Sequence, residues 1–187
     1  METILLIFVI ISLLAFIFTI INNRFQLTII KIDKAEEDID IYLEKKKDLL
    51  SRTVPIVKKE LKTKEFLESL DKCTNELNNF EKNDLLKNVY NELFKTLDEN
   101  EKLLKSDSLV KILEDLNDNE EDIVGAIKYY NDSVVEFNRL VVSFPSSLLA
   151  LIKKYKKLEF YNNEKREIFE ILNQKWKRWV YEFYWIY

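Results

Sequence analysis

Residues 109–145 read LVKILEDLNDNEEDIVGAIKYYNDSVVEFNRLVVSFP, and apolar side chains recur along them at alternating steps of four and three residues. That spacing places the side chains on one face of an α-helix. The apolar positions are Leu109, Leu113, Leu116, Ile123, Ile127, Tyr130, Val134, Phe137, Val141 and Phe144. Only Glu120 interrupts them. Ser106 or Asp107 can cap the start, and Pro145 ends the helix because it lacks an amide hydrogen. The stretch predicts a helix roughly 55 Å long at ~1.5 Å per residue, which needs helical partners.

Three further stripes predict those partners. Glu36 and Lys46 occupy two slots of the first stripe, and Pro55 is expected to kink that helix or to start a new one. The first stripe is Phe25, Ile29, Ile32, Ile39, Leu43, Leu50, Val57 and Leu61; the second is Phe66, Leu70, Cys73, Leu77, Phe80, Val89, Leu93 and Leu97. A turn is expected over 98–102. After Pro145, Ser146 or Ser147 is expected to cap a last helix, whose apolar face is Leu148, Leu151, Ile152, Tyr155 and Leu158.

The fold class follows from these stripes and from the composition. One Gly and two Pro among 187 residues leave little material for tight hairpin turns. We therefore predict an all-α chain, with an N-terminal transmembrane helix followed by a long antiparallel helical bundle of about four helices. An oligomeric coiled coil stays open as the alternative. The expected divisions are residues 1–23 for the anchor, 24–163 for the bundle and 164–187 for a basic, aromatic tail.

The N-terminal segment has the character of a membrane span. Residues 4–21 carry no charge, and at ~1.5 Å per residue they reach about 27 Å, close to the hydrocarbon thickness of a bilayer. A cleaved signal peptide would need a basic start and a small-residue cleavage site, and neither is present. Lys and Arg follow the span, at Arg24, Lys31 and Lys34, and none precedes it. This predicts a single-pass cell-membrane protein with its N-terminus outside and its bulk in the cytoplasm.

The composition also removes several classes of enzyme. The chain contains no His, which excludes Ser/His triads, imidazole zinc sites and the Glu-x-x-His motif of di-iron bundles. The single Cys73 has no partner for an intramolecular disulfide and no neighbouring base to activate it, so it is expected in the core. Acidic runs at 36–38 and 120–122 point in different directions on a helix and are read as solvated. We expect no catalytic, cofactor-binding or metal-binding residue and no enzyme activity.

Four polar residues near the apolar stripes are candidates for an interaction site or a polar layer. Asn131 and Asn138 lie seven residues apart on the same side of the helix, and Asp132 follows the first. They are read as inter-helix hydrogen-bonding groups that set register, with a ligand or peptide site as the sharper alternative. Asp40 is expected to pair with a basic residue on a facing helix.

The tail is rich in aromatic and basic side chains. Trp and Tyr favour the headgroup region of a bilayer, and Lys and Arg favour anionic lipid. Residues 139–187 hold ten Lys and Arg against five Asp and Glu. The residues expected at the membrane are Trp176, Lys177, Arg178, Trp179, Phe183 and Trp185. Packing of this tail on the bundle, or on a second copy of the chain, is the alternative. Nucleic acid is not expected, because the whole chain is acidic, with a net charge of −4.

Several short motifs, in order and at matching intervals, resemble the LemA family of bacterial membrane proteins. Ala35, Ile39, Asp40, Leu43, Lys45, Lys46, Asp48 and Leu49 are similar to its A-x-x-x-I-D-V-x-L-x-R-R-x-D-L segment. Tyr130, Asn131, Asp132, Val134, Phe137, Asn138, Phe144, Pro145 and Ser146 resemble Y-N-D-A-V-x-x-Y-N…F-P-S. Tyr155, Lys156, Lys157, Glu159, Phe160 and Tyr161 resemble F-K-K-A-E-Y-F. The chain departs from the family at Ile127, where an arginine is usual, at Pro55, which is displaced, and over its last ~20 residues.

The resemblance implies a single-pass protein with its N-terminus outside and a cytoplasmic helical bundle, and it brings no catalytic assignment. The function expected is therefore a structural or interaction scaffold at the cytoplasmic face of the membrane. Its expected partners are the lipid bilayer, a protein of unknown identity, and a second copy of the chain as a further possibility. Two other functions stay open: lipid binding or membrane remodelling through the tail, and an enzyme site near Asn131, Asp132 and Asn138.

Overall fold

The computed structural model describes residues 1–61, 68–74 and 77–161, and all regular structure in these ranges is helical. The helices are α1 (Glu2–Leu61), α2 (Asn79–Glu99), α3 (Asp107–Val142) and α4 (Ser146–Lys153). Short 3-10 helices at Glu68–Lys72 and Glu101–Lys105 precede and follow α2. The predicted all-α fold, an N-terminal apolar helix followed by an antiparallel helical bundle, is confirmed.

The chain divides into two compact units. We call residues 1–34 together with 129–161 the anchor unit, and the described residues of 35–128 the bundle unit. Both α1 and α3 contribute residues to each unit.

The core of the bundle unit is built from leucine, isoleucine and valine at helical spacing. Its fully buried members include Ile39, Leu43, Leu50 and Val57 of α1, Leu86, Val89 and Leu93 of α2, and Leu109 and Leu116 of α3. Each such side chain contributes roughly 1.5–3 kcal/mol when it is removed from water. Most residues of the apolar stripes predicted for these three helices are therefore on buried faces, but Phe80 at the start of α2 and Phe144 after the end of α3 are exposed.

The anchor unit contains the apolar start of α1. One helix in the described chain is long and apolar enough by itself to cross a membrane, and it is α1, whose best window has a mean hydropathy of 3.3 and no buried residue. C-terminal to the uncharged stretch, Phe25 of α1 is buried against Phe137 of α3, with ring centroids 5.7 Å apart in an edge-to-face arrangement. Leu149 and Ala150 of α4 are also buried in this unit.

The structure excludes one of the two alternatives predicted at Pro55, a new helix, and contradicts the predicted start of α2. No new helix starts at Pro55: α1 continues through it to Leu61, because the exposed ring removes only one backbone hydrogen bond from a helix that is held by its buried face. The stripe of Leu70, Cys73 and Leu77 does not continue into α2. Instead, α2 begins after Asn78, whose side chain accepts a hydrogen bond from the Glu81 amide while the Glu81 side chain accepts one from the Asn78 amide.

The last helix is shorter than predicted and buries a different face. It ends at Lys153 because Lys154 adopts a left-handed conformation (φ 57°), with its amide donating to the carbonyls of the last turn. Tyr155 and Leu158 are therefore outside the helix. Leu149 and Ala150 face inward, whereas Leu148, Leu151 and Ile152 are exposed. Neither predicted Ser cap is used, since Pro145 occupies the N-cap position without a side-chain hydrogen bond.

Candidate functional site

The two predicted asparagines of α3 bind the backbone of the chain that follows α4. Asn138 is 1% exposed; its Nδ2 donates to the Leu158 carbonyl at 2.9 Å, and its Oδ1 accepts from the Leu158 amide at 2.8 Å. Asn131 is 2% exposed, and its Oδ1 accepts from the Tyr161 amide at 2.8 Å. We call residues 155–161 the return segment. The asparagines therefore hold a non-helical segment, and the partner is not a facing helix as predicted.

An aromatic side chain of α3 also binds the return segment, and we call Tyr130, Asn131 and Asn138 together the clasp. The Tyr130 hydroxyl donates to the Glu159 carbonyl at 3.3 Å, and the Tyr130 and Tyr161 rings meet edge to face with centroids 6.0 Å apart. Asp132 lies on the exposed side of α3. A buried backbone group that loses its partner costs about 1–3 kcal/mol, so these hydrogen bonds fix the return segment, which has no regular structure to satisfy its own amides.

Asp40 meets the basic partner that was expected for it. Lys82 of α2 lies with its Nζ 3.0 Å from Asp40 Oδ1 and 3.0 Å from Glu44 Oε1, both on α1. Burial opposes the charge on Lys82, but the hydrogen bonds to the two carboxylates outweigh it, and the pKa of Lys82 is raised above 10.5. These three charged groups, with Leu77 and Asn79, line an open groove of about 580 Å³.

A second ion pair was missed although both of its members were visible in the sequence. Lys46 and Glu120, the polar residues that interrupt the stripes of α1 and α3, meet each other with Nζ 2.5 Å from Oε2. Lys46 is fully buried, and its Nζ lies 5.0 Å from the centre of the Tyr90 ring. Burial and the nearby Glu120 carboxylate raise the pKa of Tyr90. Two charged residues in apolar slots of opposite helices were the signal that could have predicted this pair.

One buried amide in the bundle unit is only half satisfied. Asn119, next to Glu120 on α3, is fully buried and donates from Nδ2 to the Tyr42 carbonyl at 3.1 Å. Its Oδ1 is buried without a hydrogen-bond partner. A buried carbonyl oxygen without a hydrogen-bond partner lowers the stability of the folded state. The hydrogen bond from Asn119 to α1 offsets part of that loss.

Cys73 has the environment of a core residue, as predicted. It is buried, and burial raises the pKa of its thiol, which keeps the thiol in its weakly nucleophilic protonated form. It borders a shallow groove of about 440 Å³ with Glu44, Lys47 and Asp71 among the lining residues. Within the described ranges, no group of three or more Cys, Asp and Glu side chains is arranged to hold a metal ion.

The candidate membrane residues of the tail, Trp176 to Trp185, lie outside the described residues, as does Phe66 of the second stripe. The predicted division of the chain into an anchor (1–23), a bundle (24–163) and a tail (164–187) stays a prediction.

The chain has an apolar N-terminal helix of membrane-spanning length, and this helix continues into a helical bundle. The buried polar groups of the bundle bind one another and the backbone. The chain is therefore a helical-bundle protein with a candidate membrane anchor. The family model of the LemA family matches residues 35–171, which is 137 of the 187 residues. The chain belongs to the LemA family, as the motifs indicated. No curated protein and no solved structure matches it.

Proposed function

We propose that this LemA-family protein is a membrane-anchored scaffold, with residues 4–21 in the bilayer and the helical bundle offered to a protein partner at the cytoplasmic face. The observation that carries the proposal is the continuity of α1: one unbroken helix, Glu2–Leu61, contains near its start an uncharged stretch without a buried side chain and then contributes core residues. Such a helix loses little in lipid because its own backbone bonds are satisfied and its outward side chains are apolar.

The sidedness in this proposal rests on charge. Lys and Arg resist translocation, and they follow the apolar stretch at Arg24, Lys31 and Lys34. The bundle would accordingly stay in the cytoplasm, with the N-terminus outside.

A non-catalytic role is supported by the way the polar groups of the clasp are used. Asn131 and Asn138, which would have to face a substrate in an enzyme, are buried and bound to the amide and carbonyl groups of the return segment. The two grooves described above are lined by residues of the bundle unit and do not include these asparagines.

Site-directed photo-crosslinking in native membranes tests the scaffold. Ile41 and Val124 are large apolar side chains that the bundle unit leaves exposed, and a photoreactive amino acid would replace each in turn. We expect a discrete adduct of defined mass from at least one of them, and an adduct of twice the chain mass would identify a second copy as the partner. Exposed Asn117 provides the matched control position. Absence of any adduct from both apolar positions would contradict the scaffold.

Lipid binding through the aromatic tail is the second candidate, favoured by the local basic excess of residues 139–187. Its test is liposome flotation of residues 24–187 with and without residues 174–187. Unchanged flotation after that truncation would remove the tail from the proposal.

A further inference from the structure

Helix α4 presents an apolar surface to its surroundings. Leu148, Leu151 and Ile152 are 56%, 78% and 68% exposed, and Phe144 in the turn before the helix is 74% exposed. Only the opposite side of α4, with Leu149 and Ala150, is buried in the anchor unit. Four large apolar side chains in nine residues need a cover that is itself apolar.

The end of α4 is fixed beside the place where α1 leaves its uncharged stretch. Tyr155, two residues after α4, has its ring centroid 5.0 Å from that of Phe25, and the Gln26 side chain donates to the Tyr155 hydroxyl at 3.3 Å. Phe25 follows Ile21, the last residue of the uncharged stretch, by four positions, or about 6 Å of helix. With residues 4–21 in the bilayer as proposed above, the return segment starts at the level of the membrane surface.

The start of α4 lies closer still to the apolar stretch. Phe137 of α3 packs on Phe25, and α3 then continues for five residues to Val142. Because α3 runs antiparallel to α1, those residues carry it about 7 Å further toward the N-terminus of α1, level with the last turn of the uncharged stretch. There the chain turns, and α4 leaves at 94° to α3. A helix at that angle to helices that stand on the membrane lies along its surface.

Basic residues complete the pattern of an interfacial helix. Lys153, Lys154, Lys156 and Lys157 follow the apolar side chains directly, and all four are exposed. An apolar face flanked by lysines is the pattern of a helix that lies in the headgroup region of an anionic leaflet.

We propose that α4 is an interfacial membrane helix, which inserts Phe144, Leu148, Leu151 and Ile152 into the leaflet beside the α1 span while Lys153, Lys154 and Lys156 contact anionic headgroups. The proposal rests on the membrane anchoring proposed above. The lipid bilayer is the occupant of this surface, because the surface sits at the exit of the span and is bordered by positive charge. It gives the protein a second contact with the membrane, independent of the aromatic tail.

Spin-label accessibility on the full-length chain in lipid vesicles tests the proposal. Cys73 is replaced by alanine, and a nitroxide is attached to L151C in vesicles of phosphatidylethanolamine and phosphatidylglycerol in equal parts. The label at position 151 is expected to collide several-fold more often with oxygen, which concentrates in lipid, than with a water-soluble nickel chelate. Y129C is the matched control, since Tyr129 is also an exposed apolar position of the anchor unit, eight residues before Phe137 and away from the span.

The other outcomes each overturn the proposal in a recognisable way. A label at 151 as accessible to the chelate as the label at 129 would place α4 in water. Shielding from both oxygen and chelate would show that protein, either the chain after residue 161 or a second copy, covers the surface. A third label, at L13C, tests the anchor separately. If the label at position 13 is in lipid and the label at position 151 is in water, only the interfacial helix is contradicted. If the label at position 13 is in water, the proposed anchoring is contradicted as well.

Discussion

The Lys46 ammonium is held inside the bundle unit by one carboxylate and one aromatic ring. Its neighbour Lys45 is exposed and has only a distant pairing, 3.9 Å from Asp122. A buried charge that loses its partner costs several kcal/mol, whereas an exposed pair contributes little. Two adjacent lysines on α1 therefore differ in what they contribute to the free energy of unfolding.

Replacing Lys46 by Met is expected to lower the free energy of unfolding by about 2 kcal/mol, less than for a fully buried pair because Glu120 is still one-third exposed to water. The double variant K46M/E120M should recover part of the loss, since no unpaired carboxylate is left. Urea unfolding of the detergent-solubilised protein, followed by far-ultraviolet circular dichroism, measures both. Lys45→Met is the control, and an equal loss from K45M and K46M would contradict this role for Lys46.

Asn138 holds the return segment through both polar atoms of its side-chain amide. Asn138→Ala removes both part-buried hydrogen bonds to the N–H and C=O of Leu158 and is expected to cost about 2 kcal/mol, roughly 1 kcal/mol for each bond. It should also remove the protection of the Leu158 amide from hydrogen exchange. Asn117→Ala, at an exposed position of the same helix, should change neither quantity. Full protection at Leu158 in N138A would show that the clasp does not depend on this residue.

The start of α2 is determined by a local capping signal in the sequence. Asn78 and Glu81 form a reciprocal capping box, and this box rather than apolar periodicity fixes where the helix begins. The sequence carried the signal as Asn-x-x-Glu, but the stripe of Leu70, Cys73 and Leu77 suggested a longer helix. Periodicity describes a face and not an end, so helix ends had to be predicted from caps.

Asn78→Ala is expected to lower the free energy of unfolding by about 1 kcal/mol, because the first turn of α2 loses its side-chain acceptor. Chemical denaturation measures the change, and amide exchange at Glu81 should rise. Asn88→Ala, an exposed position inside the same helix, is the control and should be neutral or slightly stabilising. If the two variants behave alike, the capping box does not set the boundary.

Helix α2 is also joined to α1 by charge, through Lys82. Since its folded pKa is raised, Lys82 contributes stability that is fully present below its unfolded pKa, near 10.5, and is lost as the pH rises through the folded pKa. Wild type is therefore expected to lose more stability than Lys82→Met as the pH rises above about 10.5. Denaturation midpoints across that range test it, and parallel curves for the two proteins would contradict it. Tyr90 titrates in both proteins and cancels in the difference.

Much of the fold followed from residue patterns. The stripes predicted the buried faces of α1, α2 and α3, because burial of one face is what makes those helices stable. In α4 the prediction failed, since Leu148–Ile152 is apolar on all sides and nothing in the sequence selects the inward face. The partners of Asn131 and Asn138 could not be predicted either, because a backbone amide carries no sequence signal. Only the structure shows that a return segment passes over them.

At the scale of the whole molecule, α1 contains both an uncharged stretch of membrane-spanning length and residues of the buried core. The match to the LemA family, over residues 35–171, lies C-terminal to that stretch. If the first part of α1 is in lipid, the bundle cannot leave the membrane, and the flanking charges decide the side on which it stays. Location is therefore the claim on which the scaffold and the interfacial helix both depend.

Protease protection in sealed membrane vesicles of known orientation measures that location directly. With the full-length chain in inside-out vesicles, where the cytoplasmic face is exposed, added trypsin should digest the bundle and leave a short protected fragment that contains residues 4–21. In right-side-out vesicles the bundle should survive until detergent is added. Digestion of the bundle in intact right-side-out vesicles, or the absence of any membrane-protected fragment in both preparations, would contradict an anchored protein with a cytoplasmic bundle.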